Sequence, residues 1–239
     1  MQNILLSDLL LGFIPVSITL GFIFYWSMSL NKALLAVTRM LLQLILIGYA
    51  LNFIFASNNA WVITLILSLM LIAASWISLN SIEHATGHLY AYSLIAISVG
   101  GVFTMVIVTQ GILHADPWYY PEIVIPIAGM IFSNSMNTIS LAAERFYSEY
   151  HHKQDYVYCR NTAFQASMIP VINALLAVGL VSLPGMMTGQ ILSGVSPLIA
   201  ARYQIMVMLM VFGSSGISAA LFLIMLKKRL PPLEPIVEE

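Results

Sequence analysis

The stretch GLVSLPGMMTGQILSGVSPLIAARYQ, residues 179–204, lies between two long apolar segments and interrupts both. Pro184 and Pro197 resist a regular helix interior because proline has no backbone N–H, while the glycines permit backbone angles that other residues avoid. The apolar side chains between them need cover, so this is not an ordinary solvated loop. It is either a tight hairpin outside the membrane or a break of the kind at which transporters place sites and gates. The candidate gate residues are Pro184, Gly185, Met186, Met187 and Gly189.

The rest of the chain is strongly apolar. Hydrophobic residues make up 60% of the sequence and charged residues 8%, against roughly 25% charged in a soluble domain. Several apolar runs reach the ~20 residues that cross a bilayer. We therefore expect an all-α integral membrane protein, a polytopic bundle of about seven transmembrane helices. The predicted spans are 6–26, 34–55, 61–79, 89–110, 123–141, 164–183 and 203–226.

The distribution of lysine and arginine predicts the orientation. With the C-terminus in the cytoplasm, all the basic residues except Arg202 fall on the cytoplasmic side or near its boundary. An odd number of spans then places the N-terminus outside and the interrupted stretch 179–204 on the extracytoplasmic side. Residues 1–229 form a single transmembrane domain, and residues 230–239, with three prolines and an acidic end, form a short flexible cytoplasmic tail.

Sequence motifs for soluble chemistry are absent. No P-loop, G-x-S-x-G or H-E-x-x-H pattern occurs, so we predict no catalytic residues, and any ATP and Mg²⁺ would be bound by another chain. Net charge is close to neutral, which gives no field for nucleic acid. No metal site is specified: Met186 and Met187 are soft donors, and Glu122, at the outer end of a span, is either a cation-recruiting carboxylate or an ordinary solvated residue.

Polar side chains at membrane depth are functional candidates because they are costly there. Residues 133–140 carry six of them, and Asn134 and Asn137 share a helix face that we expect to point into the bundle or a cavity. They either hydrogen-bond between helices or line a wet translocation path. The same alternatives apply to Gln43, whereas Arg39 either belongs to the path or reaches the headgroups. The predicted path residues are Arg39, Gln43, Asn134, Asn137 and Asn173.

The segment 144–160 has mixed charge and many aromatic residues. A solvated loop would need fewer aromatics, so we expect this cytoplasmic segment to dock on lipid headgroups or on a partner protein, with a partner preferred. The predicted docking residues are Glu144, Arg145, Phe146, Tyr147 and Arg160.

Three motifs resemble those of one known family. The run SLPGMMTGQILSGVSP followed by AARYQIMV, the run GMIFSNSMNTISLAAERF, and Arg39 with Gln43, Gly48 and NFIF at 52–55 are similar to the signatures of FetB-type permeases of ABC transporters. That family includes bacterial proteins regarded as iron exporters and plant aluminium-tolerance proteins. The resemblance covers nearly the whole chain. It implies a permease of the bacterial inner membrane that works in pairs with a separate ATPase and exports a small solute such as iron.

The chain departs from the family pattern between the AERF run and Pro170. Family members usually carry a longer stretch there, with a Leu-Gly-Ala turn and basic residues, that we take to meet the ATPase. Here the stretch is shorter, and no glycine lies between Gly129 and Gly179. The shortened stretch is the reason for one alternative to an iron exporter, a non-transporting membrane sensor or scaffold that holds a partner through 144–160. A second alternative is a transporter of nucleotide sugars or another metabolite, because the resemblance implies iron as the substrate of some bacterial family members and nucleotide sugar as that of some plant members.

Overall fold

The computed structural model describes residues 6–26, 29–55, 59–80, 82 and 87–227. The chain divides into two compact units, residues 1–57 and residues 58–239. The first unit contains α1 (Leu6–Leu11), α2 (Phe13–Tyr25) and α3 (Leu30–Phe55), of which α2 packs against α3. No side chain described in these three helices is buried, as expected of apolar helices that meet lipid or another chain.

The second unit is also helical. Its elements are α4 (Ala60–Ser78), α5 (Gly87–Ile97), a π-helical segment (Ser98–Val102), α6 (Phe103–Val106), a second π-helical segment (Ile107–Ile112), α7 (Pro121–His151), α8 (Tyr156–Ala177), α9 (Gly185–Leu192) and α10 (Pro197–Leu226). No strand occurs in the described ranges. The structure and its composition confirm the predicted polytopic all-α membrane fold.

Six helices of the described residues are long and apolar enough to cross a membrane. The sequence predicted about seven spans. The difference lies in α8, predicted as 164–183 but observed at Tyr156–Ala177. Its 22 residues can cross a hydrocarbon core, but its first turns contain Arg160, Asn161 and Gln165, which lower its apolar content.

The core of the second unit is centred on α7, which packs against α4, α8 and α10. Its inward side chains recur at helical spacing, and Ile131, Ile139 and Phe146 are completely buried. From α10, Phe222 and Leu223 enter the same core. Because the elements in contact with α7 lie on one side of it, packing fixes its orientation and leaves its remaining face uncovered within this unit.

Two glycines in the first π-helical segment allow close helix contacts. A Cβ on Gly100 would lie 2.5 Å from Ser218 Oγ and 3.0 Å from the backbone N of Ser218 on α10. A Cβ on Gly101 would lie 3.0 Å from Cε1 of Phe132 on α7. The irregular segment therefore approaches two long helices at once, which any larger residue would prevent. Helices packed by small residues are common in membranes.

The interrupted stretch 179–204 contains a short helix rather than a simple loop. After α8, Val178 and Ser182 form an isolated bridge around Gly179, whose φ of 84° is left-handed. Pro184 then caps α9, and Gly194, with a φ of 92°, turns the chain into α10, which begins at Pro197. The predicted interruption is thus present, with eight of its residues forming a helix that packs against α10.

The segment 144–160 is mostly helical. The span predicted to end at Leu141 continues as α7 to His151, and α8 begins at Tyr156, where Asp155 accepts a 3.2 Å hydrogen bond from the Tyr158 N–H. Only a tight turn joins the two helices, with Lys153 at a φ of 58°. The connection is short because α7 and α8 pack directly against each other.

Candidate functional site: the polar face of α7

The uncovered side of α7 is polar along much of its length. We call the polar face the set of residues on this side at spacings of three and four: Ser133, Asn134, Asn137, Ser140 and Glu144. Ser133, Asn137 and Glu144 are exposed, and Asn134 and Ser140 are partly buried. The side-chain Nδ2 of Asn134 donates a 2.8 Å hydrogen bond to Met130 O, within its own helix.

The position of Asn137 corrects the expectation from sequence. The two asparagines share a face, as predicted, but that face lies on the outside of the second unit and not in its interior. The neighbouring Ser135 and Thr138 face inward instead, because they lie on the same side as the buried Ile131 and Ile139. An exposed carboxamide at membrane depth needs water or a polar partner, since lipid tails offer no hydrogen bonds.

Buried hydroxyls lie behind this face, where α7 packs against α10. Among the described residues, Ser135 Oγ, Ser215 Oγ and Ser218 Oγ are buried and have no hydrogen-bond partner. Ser218 lies close to Gly100, so this part of α10 serves close helix packing. The sequence did not predict the inward position of Ser135, although the apolar residues four positions before and after it indicate that side of the helix.

The other predicted path residues are placed separately. Asn173 is exposed on α8, which packs against α7. Arg39 and Gln43 are exposed on α3 in the first unit, one turn apart as predicted. The structure thus brings Asn134 and Asn137 together, while Arg39 and Gln43 form a second polar pair on a different unit.

The predicted gate residues all lie at the start of α9. Pro184 precedes the helix and accepts a 3.1 Å hydrogen bond from Thr188 Oγ1, while Met186 is exposed and Met187 partly buried. Two amide oxygens, Gln190 Oε1 on α9 and Gln204 Oε1 on α10, are buried and lack partners among the described residues. The short helix α9 packs against α10.

Candidate metal ligands do not converge. Among the described residues, no three His, Cys, Asp or Glu side chains gather into a group. Glu122 is exposed in the first turn of α7, where Tyr120 donates a 3.4 Å hydrogen bond to its carboxylate. Met186 lies in a different element, at the start of α9.

The predicted docking residues separate into three environments. Glu144, Arg145 and Tyr147 are exposed or partly exposed, and Arg145 forms a salt bridge with Glu149 one turn later. Phe146 is completely buried, stacked on Tyr150 with ring centroids 6.0 Å apart, so the prediction that its ring contacts a partner is wrong. It holds the α7–α8 turn in place instead. Arg160 lies in a cavity between α8 and α10.

Known proteins resemble this chain over most of its length. The model of the family UPF0014, described as an uncharacterised protein family, matches residues 6–230. A UPF0014 membrane protein of Synechocystis sp. is 34% identical over 75% of both chains. The "Probable iron export permease protein FetB" of Escherichia coli is 34% identical over 80% of this chain and 78% of its own.

A plant relative extends the comparison. The "Protein ALUMINUM SENSITIVE 3" of Arabidopsis thaliana is 30% identical over 85% of this chain and 80% of its own. No solved structure matches the chain. These matches confirm the family resemblance that the three sequence motifs indicated.

Proposed function

Since the chain belongs to the UPF0014 family of membrane proteins, we propose that it is the membrane-spanning permease subunit of an ABC transporter of the bacterial inner membrane, exporting a small solute. Iron is the first candidate for that solute, because the relative from Escherichia coli carries the name of an iron export permease. The chain itself is an integral membrane protein.

The polar face of α7 is the observation that supports transport. Asn137 is exposed on a helix long and apolar enough to span the bilayer, and it is flanked by Ser133 and Ser140 at spacings of four and three residues. Contact of these groups with lipid would cost free energy because lipid tails offer no hydrogen bonds. Water or a solute can supply the missing hydrogen bonds. Their amide and hydroxyl oxygens suit a hydrated or oxygen-chelated hard cation.

Two copies of the chain would complete the path. The polar face is uncovered in the second unit, and a homodimer that apposes two such faces would enclose a polar passage away from lipid. Transport then requires alternation between two packings, one open to each side, with a partner shifting the equilibrium between them.

The energy would come from a separate cytoplasmic ATPase. This chain has no P-loop motif, so the partner binds ATP and Mg²⁺. The C-terminal end of α7 is the docking candidate, since it carries the charged and aromatic groups of Glu144, Arg145 and Tyr147 beside the paired helices. A docked ATPase would move α7 and α8 together because they share an extensive packed surface.

The test is co-expression of the chain with the reading frames adjacent to its gene, followed by a search for a co-purifying P-loop ATPase and by transport measurements. In inside-out vesicles, we expect ATP-dependent accumulation of radioactive iron that vanishes when the ATPase is inactivated at its own P-loop. Vesicles in which the complex forms but no solute accumulates would favour the sensor or scaffold alternative. Failure to associate with any ATPase would contradict the proposal.

A further inference from the structure

A groove follows the seam between α8 and α10. At one end lies a cavity of about 290 Å³, lined from α8 by Arg160, Asn161 and Gln165 and from α10 by Leu223 and Ile224. The α8 wall carries these three polar side chains together with the ring of Phe164, whereas the α10 wall is apolar. Such a combination suits a ligand that is itself polar at one end and apolar at the other.

The groove continues toward the middle of both helices. A second cavity, of about 530 Å³, shares Phe164 and Gln165 with the first and is otherwise lined by apolar side chains and two glycines, among them Met168, Ile172, Phe212 and Gly213. From Arg160 to Ile172 a helix rises about 18 Å, close to the ~15 Å of one leaflet's hydrocarbon. The groove thus has roughly the depth of one acyl chain.

The polar end of the groove is cationic. Arg160 donates Nε–H and Nη2–H to a single acceptor, Asn161 Oδ1, at 3.1 and 2.8 Å. Its guanidinium lies 5.9 Å from the ring centroid of Tyr156, and Lys227 Nζ lies 5.6 Å from the same centroid. Two cations therefore flank one ring at this end of the groove.

These two cations lack a carboxylate partner within the described part of the chain. The salt bridge found there joins Arg145 to Glu149, and the nearby Asp155 caps α8 by accepting from the Tyr158 N–H. A guanidinium has five N–H donors in a planar fork that matches a phosphate, so Arg160 retains the capacity to bind one.

We propose that this groove binds one anionic phospholipid, with the phosphate at Arg160 and Lys227 and an acyl chain along α8 and α10. Basic pockets between transmembrane helices are known to receive anionic headgroups. A free phosphate would use the polar end alone and leave the apolar continuation between Phe164 and Gly213 unexplained. The site lies apart from the polar face of α7 and gives Arg160 a role in lipid binding, separate from ATPase docking.

The experiment measures lipid binding to the full-length protein purified in detergent, by native mass spectrometry. The probes are phosphatidylglycerol and phosphatidylcholine with identical acyl chains. We expect one phosphatidylglycerol per chain to be retained in preference to phosphatidylcholine. Arg160→Gln is expected to weaken phosphatidylglycerol binding by about tenfold, because one charged hydrogen-bonding group is lost.

Two variants separate charge from shape. Lys153→Gln removes the same charge from the exposed α7–α8 turn, outside the groove, and is expected to bind like the unmodified protein. Gly213→Leu retains Arg160 but fills the apolar part of the groove, where a Cβ meets no atom within 4 Å, so it is expected to fold and to lose binding. Arg160→Lys keeps the charge and is expected to retain most of the affinity.

Three results would overturn the proposal. Equal retention of the two lipids would show that the charge at Arg160 is not recognised. Equal loss in Arg160→Gln and Lys153→Gln would point to net charge instead of a site. Unchanged binding in Gly213→Leu, with displacement of phosphatidylglycerol by inorganic phosphate, would show a phosphate site without an acyl groove. Should Arg160→Gln not fold, Gly213→Leu and Arg160→Lys decide between these outcomes.

Discussion

At the residue scale, the structure separates side chains that the sequence grouped together. Phe146 and Tyr147 are adjacent and were both predicted to dock, yet Phe146 is fully buried while Tyr147 is partly exposed. Composition identified the polar run 133–140 and the aromatic segment 144–160 correctly as unusual. Which members point inward depends on how the helix is rotated about its axis relative to its neighbours, which a single sequence does not specify.

Asn137 provides the residue-scale test of the transport path. In the co-purified complex, Asn137→Leu should lower ATP-dependent flux by about tenfold, equivalent to about 1.4 kcal/mol in the barrier, because a polar contact for the solute is lost. Its exposure predicts a change in unfolding free energy within about 0.5 kcal/mol. Accumulation of solute in vesicles measures the flux, and thermal unfolding in detergent measures the change in stability.

The matched control is Thr64→Val. Thr64 is also exposed on a membrane-spanning helix, but its hydroxyl donates to Ala60 O of the same helix at 2.9 Å and has no place on the polar face. The ATP-dependent flux of the Thr64→Val variant should equal that of the unmodified protein. Equal flux in Asn137→Leu and the unmodified protein would remove Asn137 from the path.

A second prediction at the residue scale concerns Tyr156, which tests the packing between α8 and α10. Its hydroxyl donates a 2.9 Å hydrogen bond to Leu223 O, joining the start of α8 to α10. Tyr156→Phe should lower the unfolding free energy by about 1 kcal/mol. Tyr158→Phe, an exposed neighbour, is the control in thermal unfolding; an equal change in both variants would contradict the assigned bond.

At the scale of elements, the sequence predicted which helices exist better than it predicted where they begin and end. The apolar runs located α2, α3, α4, α5, α7 and α10, but α7 extends ten residues past the predicted end and α8 begins eight residues early. Polar residues such as Glu144 and Arg160 lower the local hydropathy, which indicated that the helices do not extend over them. Helices nevertheless continue readily beyond the bilayer when packing supports them. Likewise, prolines and glycines marked the interruption at 179–204 but not the short α9 inside it.

The π-helical segment offers the test at this scale. Gly100→Ala should lower the unfolding free energy by about 1–3 kcal/mol, because the new Cβ meets the backbone N of Ser218, which cannot rotate away. Gly111→Ala, where a Cβ meets nothing within 4 Å, should leave it nearly unchanged. Thermal unfolding in detergent compares them, and identical midpoints would refute the close approach.

At the scale of the whole molecule, the fold class followed from composition because apolar helices are one of the few structures that a bilayer tolerates. The orientation is still a prediction from the distribution of basic residues. Arg145, Lys153 and Arg160 belong to the α7–α8 end, and Lys227 joins them through the ring of Tyr156. The sequence predicted which residues of α7 form the candidate site but not that they face outward. An outward polar face is explained by the assembly in which it is covered, and that assembly is not encoded in a pattern of one helix.

Cysteine labelling tests this orientation. Ser193→Cys, in the turn after α9, should react with a membrane-impermeant maleimide in intact cells, whereas Gln154→Cys, in the α7–α8 turn, should react only after permeabilisation. The native Cys159 is fully buried, so the unmodified protein serves as a low background. The reverse pattern would invert the molecule in the membrane.

The continuity of α7 has a mechanical consequence. Its 31 residues extend about 46 Å, which is enough to traverse the bilayer including both headgroup layers. From Met130 to His151 it contains neither proline nor glycine, the usual points at which helices bend. A tilt imposed on α7 at the α7–α8 turn is therefore transmitted to Asn137 without bending of the helix. The packed core is the fixed point of that rotation.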